Sequence, residues 1–85
     1  MKAFTKLVNE NGKEVEIELG ELAIFANIEE IQQLIDFLTY VKKDHTIQHN
    51  EQHISVTHNH FSMWKDENKS KLDLQIWSVF DNENE

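Results

Sequence analysis

Residues 13–19, KEVEIEL, alternate without a break. Val15, Ile17 and Leu19 take one face of an extended chain, and Glu14, Glu16 and Glu18 take the other. Residues 3–8 precede them across Asn9-Glu10-Asn11-Gly12, so the two runs predict a hairpin. Two turns satisfy the spacing. A two-residue Asn11-Gly12 turn pairs Val8 with Val15 and sets Lys6 beside Ile17 on the apolar face. A three-residue loop with Gly12 left-handed pairs Leu7 with Val15, Thr5 with Ile17 and Lys6 with Glu16. The second keeps the lysine in water and is preferred; it leaves Phe4 on the outer face. Residues 17–25, IELGELAIF, carry the alternation further. A tight turn at Gly20-Glu21 sets Leu19 against Leu22 and Ile17 against Ile24, giving a third strand, with a bulge at Gly20 as the competing account.

The period then changes. Ile28, Ile31, Leu34, Ile35, Leu38 and Val41, widened by Phe37, recur at helical spacing and predict a helix over about 28–43 with that stripe in the core. Asn27 followed by Glu30 has the form of a capping box, with Ala26 and Ile31 placed as a hydrophobic staple. Glu29 and Glu30 suit the positive end of the helix dipole, and Lys42 and Lys43 the negative end. Residues 44–50 are polar and read as a connection. Residues 53–58 alternate as a fourth strand and residues 72–80 as a fifth, with Leu72, Leu74 and Ile76 inward. The predicted fold is α+β: an antiparallel four- to five-stranded sheet with one amphipathic helix on one face, in the order β-β-β-α-β-β. Residues 1–85 make a single domain, with a charged loop at 65–71 and an acidic tail at 81–85.

Composition narrows the function. Hydrophobic residues are 39% of the chain, enough for a core and against disorder. No apolar run reaches bilayer length, and the N-terminal residues lack a signal-peptide pattern, so a cytoplasmic protein with no membrane association is expected. Cysteine is absent, which removes disulfides and thiolate chemistry. The net charge is −8 and every cation is a lysine. Nucleic-acid binding wants a basic face and favours arginine, so it is not expected. A basic protein partner is, because acidic surfaces steer cationic partners. Solubility alone is the simpler account of the same charge. Phe25, Trp77 and Val79, with Phe4, fall on the sheet face away from the helix, and exposed aromatics there suggest a protein-binding or self-association surface.

All five histidines lie between residues 45 and 60. His45, His49 and His53 recur every four residues and would share a face only if the helix continued. HNEQH at 49–53 is not the zinc-protease motif, which needs glutamate directly after the first histidine. His58 and His60 fall on one side of an extended chain, the side of Ile54 and Val56, and read as the end of the core face. Such a pair supplies two metal ligands; a catalytic ion needs a third, for which His53 or His49, or Asp66 and Glu67 looping back, are the candidates. The structural alternative is a ring donating to a backbone carbonyl at the strand's end, with Phe61, Met63 and Trp64 closing the core. No nucleophilic serine motif and no carboxylate pair in apolar surroundings is present, so no enzyme activity and no cofactor are expected.

GELAIFAN at 20–27, the leucine-rich helix, HNHF at 58–61 and the last hydrophobic strand together resemble the immunity protein 32 family of polymorphic toxin systems, over roughly residues 15–80. The resemblance implies a cytosolic antitoxin that neutralises a partner toxin by binding it. Family members often carry an aspartate after the His-x-His-Leu/Phe run, where Ser62 stands here, which weakens any metal or catalytic carry-over. The expected function is a non-catalytic binding protein with Glu14, Glu16, Glu18, Phe25 and Trp77 in its contact surface. The alternatives are a metal-binding protein using His58 and His60, assisted by His53, and a homodimerising domain.

Overall fold

The computed structural model describes residues 1–64 and 72–80. Its elements are β1 (Ala3–Val8), β2 (Glu14–Leu19), α1 (Ile28–Gln52), β3 (Val56–His60), a 3-10 turn (Phe61–Met63) and β4 (Gln75–Val79). The class is α+β, as expected. The single sheet is not formed: β1–β2 and β3–β4 are separate two-stranded antiparallel sheets. The expected charged loop at 65–71 and acidic tail at 81–85 lie outside the described residues.

The first hairpin has the preferred register. Leu7 faces Val15, Thr5 faces Ile17 and Lys6 faces Glu16. Gly12 is left-handed at φ 78. Asn9 holds the loop together: its side-chain oxygen accepts from the Asn11 and Lys13 N–H groups at 2.9 and 3.0 Å. Its own N–H donates to the Lys13 carbonyl at 2.8 Å.

The third strand is absent. Residues 21–27 carry no regular structure. A tight turn with glycine first requires φ above zero there, and Gly12 is the one positive-φ glycine of the described chain. Gly20 bends the chain without reversing it, and the segment runs on to the helix start. Alternation therefore survives here without pairing.

Asn27 caps α1 as read: its Oδ1 accepts from the Glu30 N–H at 2.8 Å, and Glu30 Oε1 accepts from the Asn27 N–H at 2.9 Å. The helix runs nine residues past its expected end at 43, to Gln52. Residues 44–50 contain no glycine or proline to stop it, and their polarity suits one exposed helix face as well as a loop. It ends at His53, which turns left-handed at φ 57, while the Ile54 N–H donates to the Gln48 carbonyl at 3.1 Å.

The core is small. Phe37, Val41 and Phe61 are buried, with Leu34, Trp64, Leu74 and Ile76 packed against them. Phe37 is fully buried, its ring edge-on to Phe61 at 5.2 Å and to Trp64 at 5.6 Å. The expected helix stripe is thus only partly inward. Leu34, Phe37, Val41 and His45 face β3–β4, and Ile28, Ile31, Ile35 and Leu38 form a second stripe, exposed, at 43–80%. At 100° per residue the two stripes sit about a quarter-turn apart, so a two-stranded sheet cannot cover both.

The inward face of the last strand matches at Leu74 and Ile76, while Leu72 is exposed. The face of β3 is the reverse of that expected. Thr57 and Asn59 point inward, and Val56, His58 and His60 point out. Register decides this. Ile76 faces Asn59 and Ser78 faces Thr57, so once the even-numbered residues of β4 are inward the odd-numbered residues of β3 must be. The same side leads to Phe61, whose N–H donates to the Leu74 carbonyl at 2.8 Å. Met63, expected to close the core, is exposed, and Phe61 and Trp64 do so without it.

Candidate functional site

Each of the five histidines has a defined setting, and no two settings are alike. His45 is buried between α1 and the β3–β4 sheet. Its Nε2 lies 2.6 Å from Asn59 Oδ1 and its Nδ1 2.6 Å from Ser78 Oγ. The amide oxygen accepts only, so Nε2–H donates to it, and in that tautomer the Ser78 hydroxyl donates to Nδ1. One side chain thereby ties the helix to both strands. His49, one helical turn on, stacks on Phe80 with ring centres 3.9 Å apart, and its Nδ1–H donates to the Ile54 carbonyl at 3.3 Å. His53 ends the helix.

His58 and His60 occupy the outer face of β3. His58 lies flat on Trp77, its cross-strand neighbour, at 4.0 Å and 7°. The Trp77 indole is itself held, its Nε1–H donating to Gln75 Oε1 at 3.0 Å. The His60 ring centre is 5.1 Å from that of His58. Its Nδ1–H donates to both carboxylate oxygens of Asp73, at 3.0 and 3.1 Å. Ser62 Oγ–H donates to the same Oδ1 at 2.9 Å. The His60 hydrogen bond holds the Asp73 carboxyl below the usual carboxylate range; partial desolvation opposes the shift and Ser62 adds to it.

Ser62, His60 and Asp73 are the three residue types of a hydrolytic triad, joined in a different order. The serine donates to the carboxylate, not to the ring, so the imidazole is not placed to take the hydroxyl proton. Among the described residues no three of His, Asp or Glu gather where one metal ion could bind them all. His53 is at the helix end and is not brought into such a set with His58 and His60; Asp66 and Glu67 lie outside the described residues. The expected ring-to-carbonyl bond at the strand's end is not made: His58 stacks on Trp77 and His60 bonds the Asp73 carboxylate, while His49, on the helix, donates to the Ile54 carbonyl ahead of β3.

The expected contact residues divide between the two sheets. Glu14, Glu16 and Glu18 are exposed on β2, on the face that also carries Lys6, Val8 and Phe4. Phe25 is almost wholly exposed in the segment before the helix. Trp77 and Val79 are exposed on β4, in the other sheet. The single aromatic sheet face is therefore corrected: Phe4 is on β1, Trp77 is on β4 in the other sheet, and Phe25 is in the irregular segment before the helix.

Sequence reasoning missed Asp73, Asn59 and Ser78. Asn59 and Ser78 are polar residues of β3 and β4 and Asp73 lies just before β4, and only the pairing of the two strands shows which histidine each meets. Among the described residues no helix is long and apolar enough to cross a membrane. Comparison with known proteins gives no further guide: no family model fits the chain, and no curated protein or solved structure matches it.

Proposed function

We propose that this chain is a non-catalytic protein-binding module that pairs with a basic partner protein, in the manner of an immunity protein that neutralises a toxin. The observation that carries the reading is the second apolar stripe of α1. Ile28, Ile31, Ile35 and Leu38 are exposed in the free chain, and Phe25 stands exposed just before them. A run of apolar side chains at this spacing is what helix-in-groove recognition uses. The acidity supports the sign of the partner. Glu14, Glu16 and Glu18 stand in a row on β2, and the chain carries −8 overall. The row would hasten encounter with a cationic surface, and the stripe would slow release.

The test uses the purified full chain and a cationic protein recovered with it, recombined as pure components. Association should slow as salt rises, and the triple substitution Glu14→Gln, Glu16→Gln, Glu18→Gln should slow it several-fold. Ile31→Asp with Ile35→Asp should speed dissociation about tenfold or more. A complex indifferent to salt and to both sets of substitutions would sink the assignment. A mass in solution of twice the 10.1 kDa chain, reduced to one by Ile35→Asp, would instead make the stripe a self-association surface.

A further inference from the structure

The outer face of β3 carries a different feature, independent of the acidic row and the helix stripe. We infer that His58 and His60 form a two-imidazole site for a borderline divalent transition ion, zinc or copper(II), with Asp73 as the residue that positions His60. The first ground is distance. Zinc–nitrogen bonds run about 2.0–2.1 Å and a ring nitrogen lies about 1.1 Å from the imidazole centre, so two imidazoles on a tetrahedral ion have centres about 5.2 Å apart. The His58 and His60 ring centres are 5.1 Å apart before any ion is present. The separation of the two rings, with their planes 67° apart, already suits a shared ion.

The second ground is tautomer. With Nδ1–H donated to both Asp73 oxygens, the neutral His60 ring carries its lone pair on Nε2. That is the carboxylate–histidine arrangement found behind metal-bound imidazoles, where the carboxylate fixes the ring and raises its basicity. Asp73 is further held by Ser62, so its orientation does not depend on His60 alone. The third ground is rigidity of the other ligand. His58 is pinned flat on Trp77, and Trp77 by Gln75. Ligands already in place lose little rotamer entropy when an ion arrives.

The site is open. The side chains of His60 and Asp73 are 28% and 48% exposed, and His58 is exposed. Two protein ligands leave the remaining positions to water or to a donor from another molecule, so the site binds metal without being a closed structural centre. Its ligand set is all nitrogen. That selects zinc, copper or nickel over magnesium and calcium, which want oxygen.

The test is titration of the untagged full chain with zinc by calorimetry and with copper(II) by electron paramagnetic resonance. The expected result is one equivalent per chain and, for copper, hyperfine structure of two equatorial imidazole nitrogens. His58→Ala and His60→Ala should each abolish the two-nitrogen signature and remove that equivalent, and both variants should melt close to the parent because the rings are on the surface. Asp73→Asn should weaken affinity about tenfold or more at unchanged apo melting temperature, which a purely structural role would not do. His49→Ala with His53→Ala should leave binding intact. If those substitutions remove the metal while the His58 and His60 variants keep it, the assignment is wrong. It is equally wrong if one equivalent is not bound below millimolar concentration, or if Asp73→Asn changes melting and leaves affinity alone.

Discussion

β1–β2 and β3–β4 are both short antiparallel ladders, six and five residues to a strand, and they meet the rest of the chain differently. In the first, β2 alternates strictly, yet Leu7, Val15 and Ile17 on the hairpin's apolar face remain 38–52% exposed. The second places Thr57, Asn59 and Ser78 on its inward face and is the one that packs on the helix. The helix supplies the explanation. His45 answers the three polar inward residues' side of the sheet with two hydrogen bonds, and Phe37, Val41 and Phe61 fill the space beside it. Alternation reports which side chains share a face; burial depends on what another element brings to that face. A sheet face with a specific complement is covered, and the generic apolar face of the first hairpin stays exposed.

The largest effect that breaks the comparison is at the shared core. Phe37 is fully exposed to loss because it is fully buried and touches both Phe61 and Trp64 edge-on. Phe37→Ala should cost about 3–5 kcal/mol. A domain of this size holds about 4–13 kcal/mol in all, so the variant should lose from about a quarter of its stability to all of it. Val15→Ala, on the exposed apolar face of β2, should cost no more than about 0.5–1 kcal/mol in the free chain. Chemical denaturation of both variants measures the contrast. Equal losses would mean that the first hairpin is as much a part of the core as the second.

The next effect sharpens the polar side of the comparison. His45→Leu leaves the Asn59 amide and the Ser78 hydroxyl without their partner in a partly buried place, at a cost of about 1–3 kcal/mol. Removing all three polar groups together, as His45→Leu with Asn59→Val and Ser78→Ala, should recover most of that loss, because no buried polar atom is then left unpaired. Thermal melts of the single and triple variants decide it. A triple variant no more stable than His45→Leu would show that the histidine acts by packing and not by its two bonds.

What was legible in the residues follows the range of the interaction involved. The hairpin register came from Lys6 and Gly12, and the helix start from Asn27 and Glu30, all of which interact within a few residues of one another. The α+β class followed from the change of period at Asn27. The missing third strand, the inverted face of β3 and the split helix stripe all depend on contacts between distant segments. Ile54 and Val56 alternate as convincingly as Leu74 and Ile76 do, and only the pairing of β3 with β4 tells which set goes in. The candidate site has the same history. The His58–His60 spacing was visible, but Asp73 stands thirteen residues from His60 and reaches it only because the chain before β4 is brought back beside the end of β3. The core was over-read because one helix was asked to bury every apolar position on its stripe, and a two-stranded sheet is too narrow for that.

The smallest effect tests whether the two hairpins are independent. Gly12 holds φ 78, and a Cβ built there meets no atom within 4 Å. The cost of Gly12→Ala is therefore conformational and not steric, about 1–2 kcal/mol for a left-handed alanine. A lone two-stranded hairpin has little stability to lose, so that cost should raise the open fraction of β1–β2 markedly. Amide hydrogen exchange by nuclear magnetic resonance should show faster exchange in residues 3–19 while the amides of β3 and β4 keep their protection. Gly12→Asn should do less, since asparagine tolerates the left-handed region better. Equal loss of protection across β3 and β4 would mean that the hairpins unfold together. The first hairpin would then be part of one cooperative unit with the helix and the second hairpin.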